Sequence, residues 1–161
     1  MNEAVAAELV RMADEDQQMR RKMQAVHEEL RAIDARNTER LRAMVAEIGW
    51  PTRSKVGPAA EHVAWLLVQH ADHNVAFQRH CLALMERESG DEVCANHLAY
   101  LEDRIRVAEG RPQRYGTQLN MTDHGLDVKE LEDPANVDER RQRVGLEPIA
   151  EYIKRARGSA S

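Results

Sequence analysis

Nine side chains in this sequence have the types and the placement to line one polar pocket: His70, Asp16, Asp103, Arg20, Arg104, Tyr100, Gln113, Tyr115 and Gln118. A histidine that titrates near neutral pH can move protons, a carboxylate can orient its partner, and a guanidinium can clamp a carboxylate or phosphate through paired N–H donors. The expected assignment gives His70 the proton transfer, with Asp16 or Asp103 orienting a partner. Arg20 and Arg104 hold an anion, and Tyr100, Gln113, Tyr115 and Gln118 complete the substrate-binding set. Arg104 carries most of this expectation. With residues 92–108 helical, Val93, His97, Tyr100, Leu101, Arg104 and Ala108 share the side that points into a core. A guanidinium placed there must find carboxylates, carbonyls or an anionic ligand, because an unpaired buried charge costs about several kcal/mol or more.

The same residues admit a purely structural reading. Asp16 and Arg104 would then neutralise each other in a buried network, and His70, on the side of Val63, Leu66 and Leu67, would be a hydrogen-bonded core residue at least partly buried. In that reading His97 is structural, Tyr115 anchors its loop, and Arg140-Arg141 forms a solvated face or a cap for a hairpin. Familiar cofactor patterns are absent: there is no GxGxxG, Walker loop, GxSxG, HExxH or ExxH pair. No cofactor and no metal is expected, with a cross-helix site of Asp16, Asp34, His70 and Asp103 as the alternative. Cys81 and Cys94 fall in apolar helical patterns outside any zinc spacing and read as reduced core thiols.

The elements that must position these groups are helical. Val5, Leu9, Met12, Met19, Met23, Val26, Leu30 and Ile33 step by alternating fours and threes, the seam of a bundle or coiled coil, interrupted by Asp16. A break or bend is expected at 34–38, where Asn37 and Thr38 would cap a new amphipathic segment ending at Trp50-Pro51. Gly57-Pro58 opens a helix over 59–71 that is apolar nearly all round and hence central. Asp72 or Asn74 caps the next helix, which carries Phe77, Cys81, Leu82, Leu84 and Met85, and Gly90-Asp91 separates it from the Arg104 helix. After Gly110 the segments 112–121 and 126–131 flank Thr122-Asp-His-Gly125 as a small hairpin. Short helices then start at Asp133-Pro134 and Pro148. The expected fold is all-α or nearly so: a bundle of about five to seven helices with a small β-hairpin in the C-terminal third. Residues 1–157 read as a single helical domain and 158–161 as a disordered tail.

Composition narrows the partners. The net charge of −5, with basic and acidic residues interspersed, leaves no stripe to neutralise a phosphate backbone, so no nucleic acid is expected. No apolar run reaches about eighteen residues and the first residues lack the order of a signal peptide, so no membrane contact and a cytoplasmic location are expected.

In order along the chain, Asp16-Gln17 with Arg20, Asp34 with Asn37, Gly49-Trp50-Pro51, Val56-Gly57, Gln69-His70-Ala71-Asp72, Tyr100 through Arg104, Gly110 with Pro112-Gln113, Tyr115 through Gln118, and Arg140-Arg141 through Gly145-Leu146 resemble a family of mostly bacterial proteins classed as a domain of unknown function. These pieces cover most of the chain and are mainly polar or glycine positions. The resemblance implies no catalytic mechanism, but it singles out polar groups that would converge on one cavity. The reading that follows is a cofactor-independent acid–base enzyme, of hydrolase, lyase or cyclase type, acting on a small anionic ligand. The alternative is a non-catalytic ligand-binding or protein-interaction module, with the Met-rich N-terminal helix as the surface for a homodimer or another partner.

Overall fold

The computed structural model describes residues 3–88, 90–123 and 125–159. Among these residues there are seven α-helices and one two-stranded antiparallel hairpin, as the hydrophobic periodicity predicts. The described residues up to Asn37 form one compact unit and those from Thr38 onward a second.

Helix α1 spans Glu3–Ile48. The expected break at 34–38 does not occur. Between Glu3 and Ile48 there is no proline or glycine, and the strong helix formers Ala, Leu, Met, Arg and Glu outweigh the capping tendency of Asn37 and Thr38. What changes at that point is the environment. Before Asn37, Leu9, Met12, Met19, Met23, Val26 and Leu30 are 51–60% exposed, whereas Thr38, Leu41 and Val45 are buried. Gly49, at φ 71°, ends the helix in the left-handed conformation that glycine adopts without a Cβ penalty.

In the second unit, the short α2 (Arg53–Val56) leads into α3 (Pro58–Gln69), α4 (Val75–Met85) and α5 (Ala95–Ala108). The core is built from Leu41, Val45, Trp50, Val68, Phe77, Cys81, Met85, Leu101 and Ile105. Asn74 caps α4 by accepting from the Phe77 amide at 3.0 Å, which leaves Asp72 for another role. Helix α3 is not central. It buries Glu61, Ala64, Val68 and Gln69 but leaves Val63 and Leu66 exposed, and His70, past its end, is exposed rather than partly buried. His70 terminates the helix, so its side chain escapes the packed face that helical periodicity assigns to it.

The hairpin pairs β1 (Leu119–Thr122) with β2 (Gly125–Val128), Leu119 opposite Val128; His124 of its turn lies outside the described residues. Then come α6 (Val137–Arg143) and α7 (Ile149–Ser159). Helix α7 includes the first two positions of the expected tail, and Ala160 and Ser161 lie outside the described residues. No helix among the described residues is long and apolar enough to cross a membrane.

Candidate functional site

The polar residues that the sequence brings together fall into three groups. The first shapes a loop. Asp103 is buried on α5, on the side away from His97, Leu101 and Ile105. Its carboxylate accepts from the amides of Arg114 (2.7 Å), Tyr115 (3.1 Å) and Thr117 (3.0 Å), and from the Thr117 hydroxyl at 3.1 Å. Residues 114–117 therefore wrap around a buried anion, which satisfies amides that a turn would otherwise leave unpaired. Gln113, also fully buried, donates to the carbonyls of Gln118 (3.0 Å) and Lys129 (3.1 Å) and accepts from the Gln118 amide at 2.7 Å. The side chains of Asp103 and Gln113 are thus committed to backbone partners, and Tyr115 contributes its amide to Asp103 and its carbonyl to Arg141.

Arg141 is 1% exposed rather than solvated; it donates to the carbonyls of Glu147 at 2.6 Å and Tyr115 at 2.7 Å, with its guanidinium 5.0 Å above the Tyr152 ring. Arg140 donates to the carbonyl of Arg114 at 2.8 Å. Gly116 sits at φ 67°, and a Cβ there would stand 2.6 Å from Ile149 Cδ1. Left-handed strain and overpacking together give Gly116→Ala an expected loss of about 2–4 kcal/mol, measured by urea unfolding.

The second group lines a cavity of about 310 Å3 in the second unit, whose walls include Trp65, His70, Tyr100, Arg104, Gln118 and Tyr152. Four of the nine residues singled out by the sequence meet here. Arg104 is partly exposed rather than fully inward. It takes a bidentate carboxylate partner, donating from Nε to Asp72 Oδ1 and from Nη2 to Asp72 Oδ2, each at 2.6 Å, and from Nη1 to Gln118 Oε1 at 3.2 Å. Burial works to raise the Asp72 pKa, but Arg104 and the Gln78 amide outweigh it and hold the carboxyl below its ordinary value. The stabilisation from this pair is therefore present at neutral pH and is lost only as pH falls through that depressed value. Tyr152, its hydroxyl pushed up to about 12 by burial and by the neighbouring Tyr100, stays neutral and donates to the Thr117 carbonyl at 2.8 Å.

Asp16 and Arg20 belong to the other unit, where both are exposed and bond each other at 2.7 Å one turn apart. Such an exposed pair is worth about 0.3–0.5 kcal/mol.

A further cluster, outside these three groups, was not anticipated. Glu61 is completely buried, at a core-facing position of α3. Its Oε1 lies 3.1 Å from His97 Nδ1, and His97 Nε2 lies 3.2 Å from His62 Nδ1. The Trp65 ring stacks on His97 with centroids 4.1 Å apart. Burial lowers the His97 pKa more than Glu61 raises it, so the ring is neutral at pH 7. Cys94 is not a core thiol in mid-helix. It is the half-buried residue that precedes α5, and Arg53 Nη2 donates to its Sγ.

A family model described as a family of unknown function, DUF6624, matches residues 4–159. The chain belongs to the DUF6624 family. No curated protein and no solved structure matches it. Membership in DUF6624 agrees with the resemblance carried by the polar and glycine motifs, and most of those motifs now have a structural duty. Tyr115 through Gln118 is the loop around Asp103, Arg140-Arg141 ties that loop to the last helices, and Gln69 through Asp72 supplies the partner of Arg104.

Proposed function

We propose that this chain is a non-catalytic interaction module that pairs with a second copy of itself through residues 5–33 of α1. One observation carries the reading: an apolar heptad seam about four heptads long, its large side chains from Leu9 to Leu30 half or more exposed, stops at the partly exposed Ile33, just before the helix begins to bury its side chains in the second unit. A single exposed helix gains little from propensity alone, so the apolar face needs a partner. In heptad register Leu9, Asp16, Met23 and Leu30 take the a positions and Met12, Met19, Val26 and Ile33 the d positions. A parallel pair would bury Asp16 against its own copy. An antiparallel pair instead sets Leu9 against Val26 of the partner subunit, Asp16 against Met19 of the partner subunit, and Met23 against Met12 of the partner subunit. It also brings Glu15 beside Lys22 of the partner subunit, so the antiparallel arrangement is the one proposed.

Cross-linking tests the pairing in a Cys94→Ser background. On oxidation, Leu9→Cys chains are expected to link to Val26→Cys chains in a mixture, and neither to itself. Self-linking of Leu9→Cys would show a parallel pair, and a chain that neither links nor associates would remove the reading. Asp16→Leu, which makes both of the Asp16–Met19 layers apolar, is expected to tighten the dimer by about tenfold or more, measured by sedimentation.

A second reading, an acid–base enzyme acting on a small anionic molecule, is supported by the cavity that gathers His70, Tyr100, Arg104 and Gln118. Against it stand the bidentate hold of Asp72 on Arg104 and the exposure of His70. Calorimetric titration with small carboxylates and phosphate, on the parent and on Arg104→Ala, separates the two: Arg104-dependent binding supports the enzyme or ligand binder, and its absence supports the interaction module alone.

A further inference from the structure

The cluster around Glu61 has the composition and the defects of an incomplete metal site. Glu61 Oε2 accepts no hydrogen bond although the residue is 0% exposed, and the buried Arg53 Nε, 3.9 Å away, has no hydrogen-bond acceptor either. A wholly buried carboxylate oxygen without a hydrogen-bond donor is costly, and here only the ion pair with Arg53 at 3.9 Å offsets its lost hydration. Beside it, His97 places its imidazole Nδ1 3.1 Å from the other Glu61 oxygen. The ligand atoms of Glu61, Cys94 and His97 all lie within 4.8 Å of one another. A tetrahedral ion with bonds of about 2.0–2.3 Å holds such atoms about 3.3–3.7 Å apart, so rotamer adjustments of about 1 Å close the set.

We propose that Glu61, His97 and Cys94 form a three-ligand site for a borderline divalent cation, with Zn2+ the best match to a carboxylate, imidazole and thiolate donor set. The surroundings support it in three ways. His97 Nδ1 faces Glu61 while Nε2 faces His62 Nδ1 at 3.2 Å, so an ion on Nδ1 leaves Nε2–H to be donated to His62, the outer partner that fixes a ligand histidine. Arg53, already on Cys94 Sγ, adds positive charge beside two ligands that bind a metal as anions. Cys94, Arg53 and Asn96 also line an open cavity of about 290 Å3, and Asn96 Oδ1 is another buried acceptor without a partner, so the Cys94 side of the set faces a space that admits water or a small ligand as the fourth ligand. Three protein ligands with an open fourth position is the arrangement of reactive rather than purely structural zinc.

The test uses the full chain, stripped with a chelator and titrated with Zn2+ by calorimetry and with Co2+ by absorption. The expected result is one ion per chain and a thiolate-to-cobalt charge-transfer band in the near ultraviolet. The band disappears in Cys94→Ser, and affinity falls by at least about tenfold in Glu61→Gln and by about 10–100-fold in His62→Ala, which removes only the outer partner. Absence of the thiolate band in the parent, or Zn2+ uptake unchanged in Cys94→Ser, would overturn the proposal and leave Arg53 as the sole counter-charge of Glu61. If Glu61→Gln fails to fold, the parent Co2+ spectrum and Cys94→Ser, whose circular dichroism is expected to match the parent, decide the matter.

Discussion

Replacing Met12 and Met23 together by aspartate is expected to convert the protein from dimer to monomer and to cost it much of the helicity of residues 3–37. In the proposed pair these two positions face each other in two central layers, so the double variant removes four apolar side chains from each dimer and sets like charges opposite one another. At about 1.5 kcal/mol for each buried side chain the loss is about 6 kcal/mol, or about four orders of magnitude in Kd. The helix before Asn37 then has no apolar face covered, and helices held by propensity alone are marginal in water. The second unit should be indifferent, since all of its core residues lie after Thr38. Far-ultraviolet circular dichroism should therefore fall while the near-ultraviolet signal of Trp50 and Trp65 and the main thermal transition stay in place. Retention of both helicity and dimer would show that the seam is not the contact.

Asp103→Ala is expected to be the most damaging single substitution in the second unit, at about 3–5 kcal/mol by urea unfolding. It removes the acceptor of three backbone amides and the Thr117 hydroxyl at once, in a place that water does not reach. Asp103→Asn, which keeps one acceptor but turns an amide group toward donors, should fall between. The result separates two roles. A carboxylate held for proton transfer commonly weakens the fold, and its removal leaves stability unchanged or raises it. A carboxylate that organises a loop does the opposite, and the four bonds to residues 114–117 place Asp103 in this second class.

Much of the fold was legible because it rests on periodicity and punctuation. Gly57-Pro58 marked the start of α3 and Gly125 the turn of the hairpin, and the seam from Val5 to Ile33 announced a long amphipathic helix. The continuity of α1 was not legible, because Asn37 and Thr38 carry a capping signal that the helix formers on both sides of them outweigh. For the polar residues, sequence spacing identified His70, Tyr100, Arg104 and Gln118 as companions, and it identified the kind of partner Arg104 would need, but not that Asp72 supplies it. It placed Arg104 inside when the buried charge of α5 is its neighbour Asp103, because α5 is covered on two sides and a single-face rule assigns only one of them. The Glu61 cluster left one faint signal, Cys94 and His97 a helical turn apart. Its third member comes from another helix, and the guanidinium that completes it comes from α2, so no local spacing encodes the set.

The most direct measurement is the mass of the full chain in solution, by sedimentation equilibrium over a wide concentration range. The account predicts a dimer of the 18.4 kDa chain that dissociates only on dilution and that Met12→Asp/Met23→Asp abolishes. A monomer at every concentration, with residues 3–37 still helical, would contradict it.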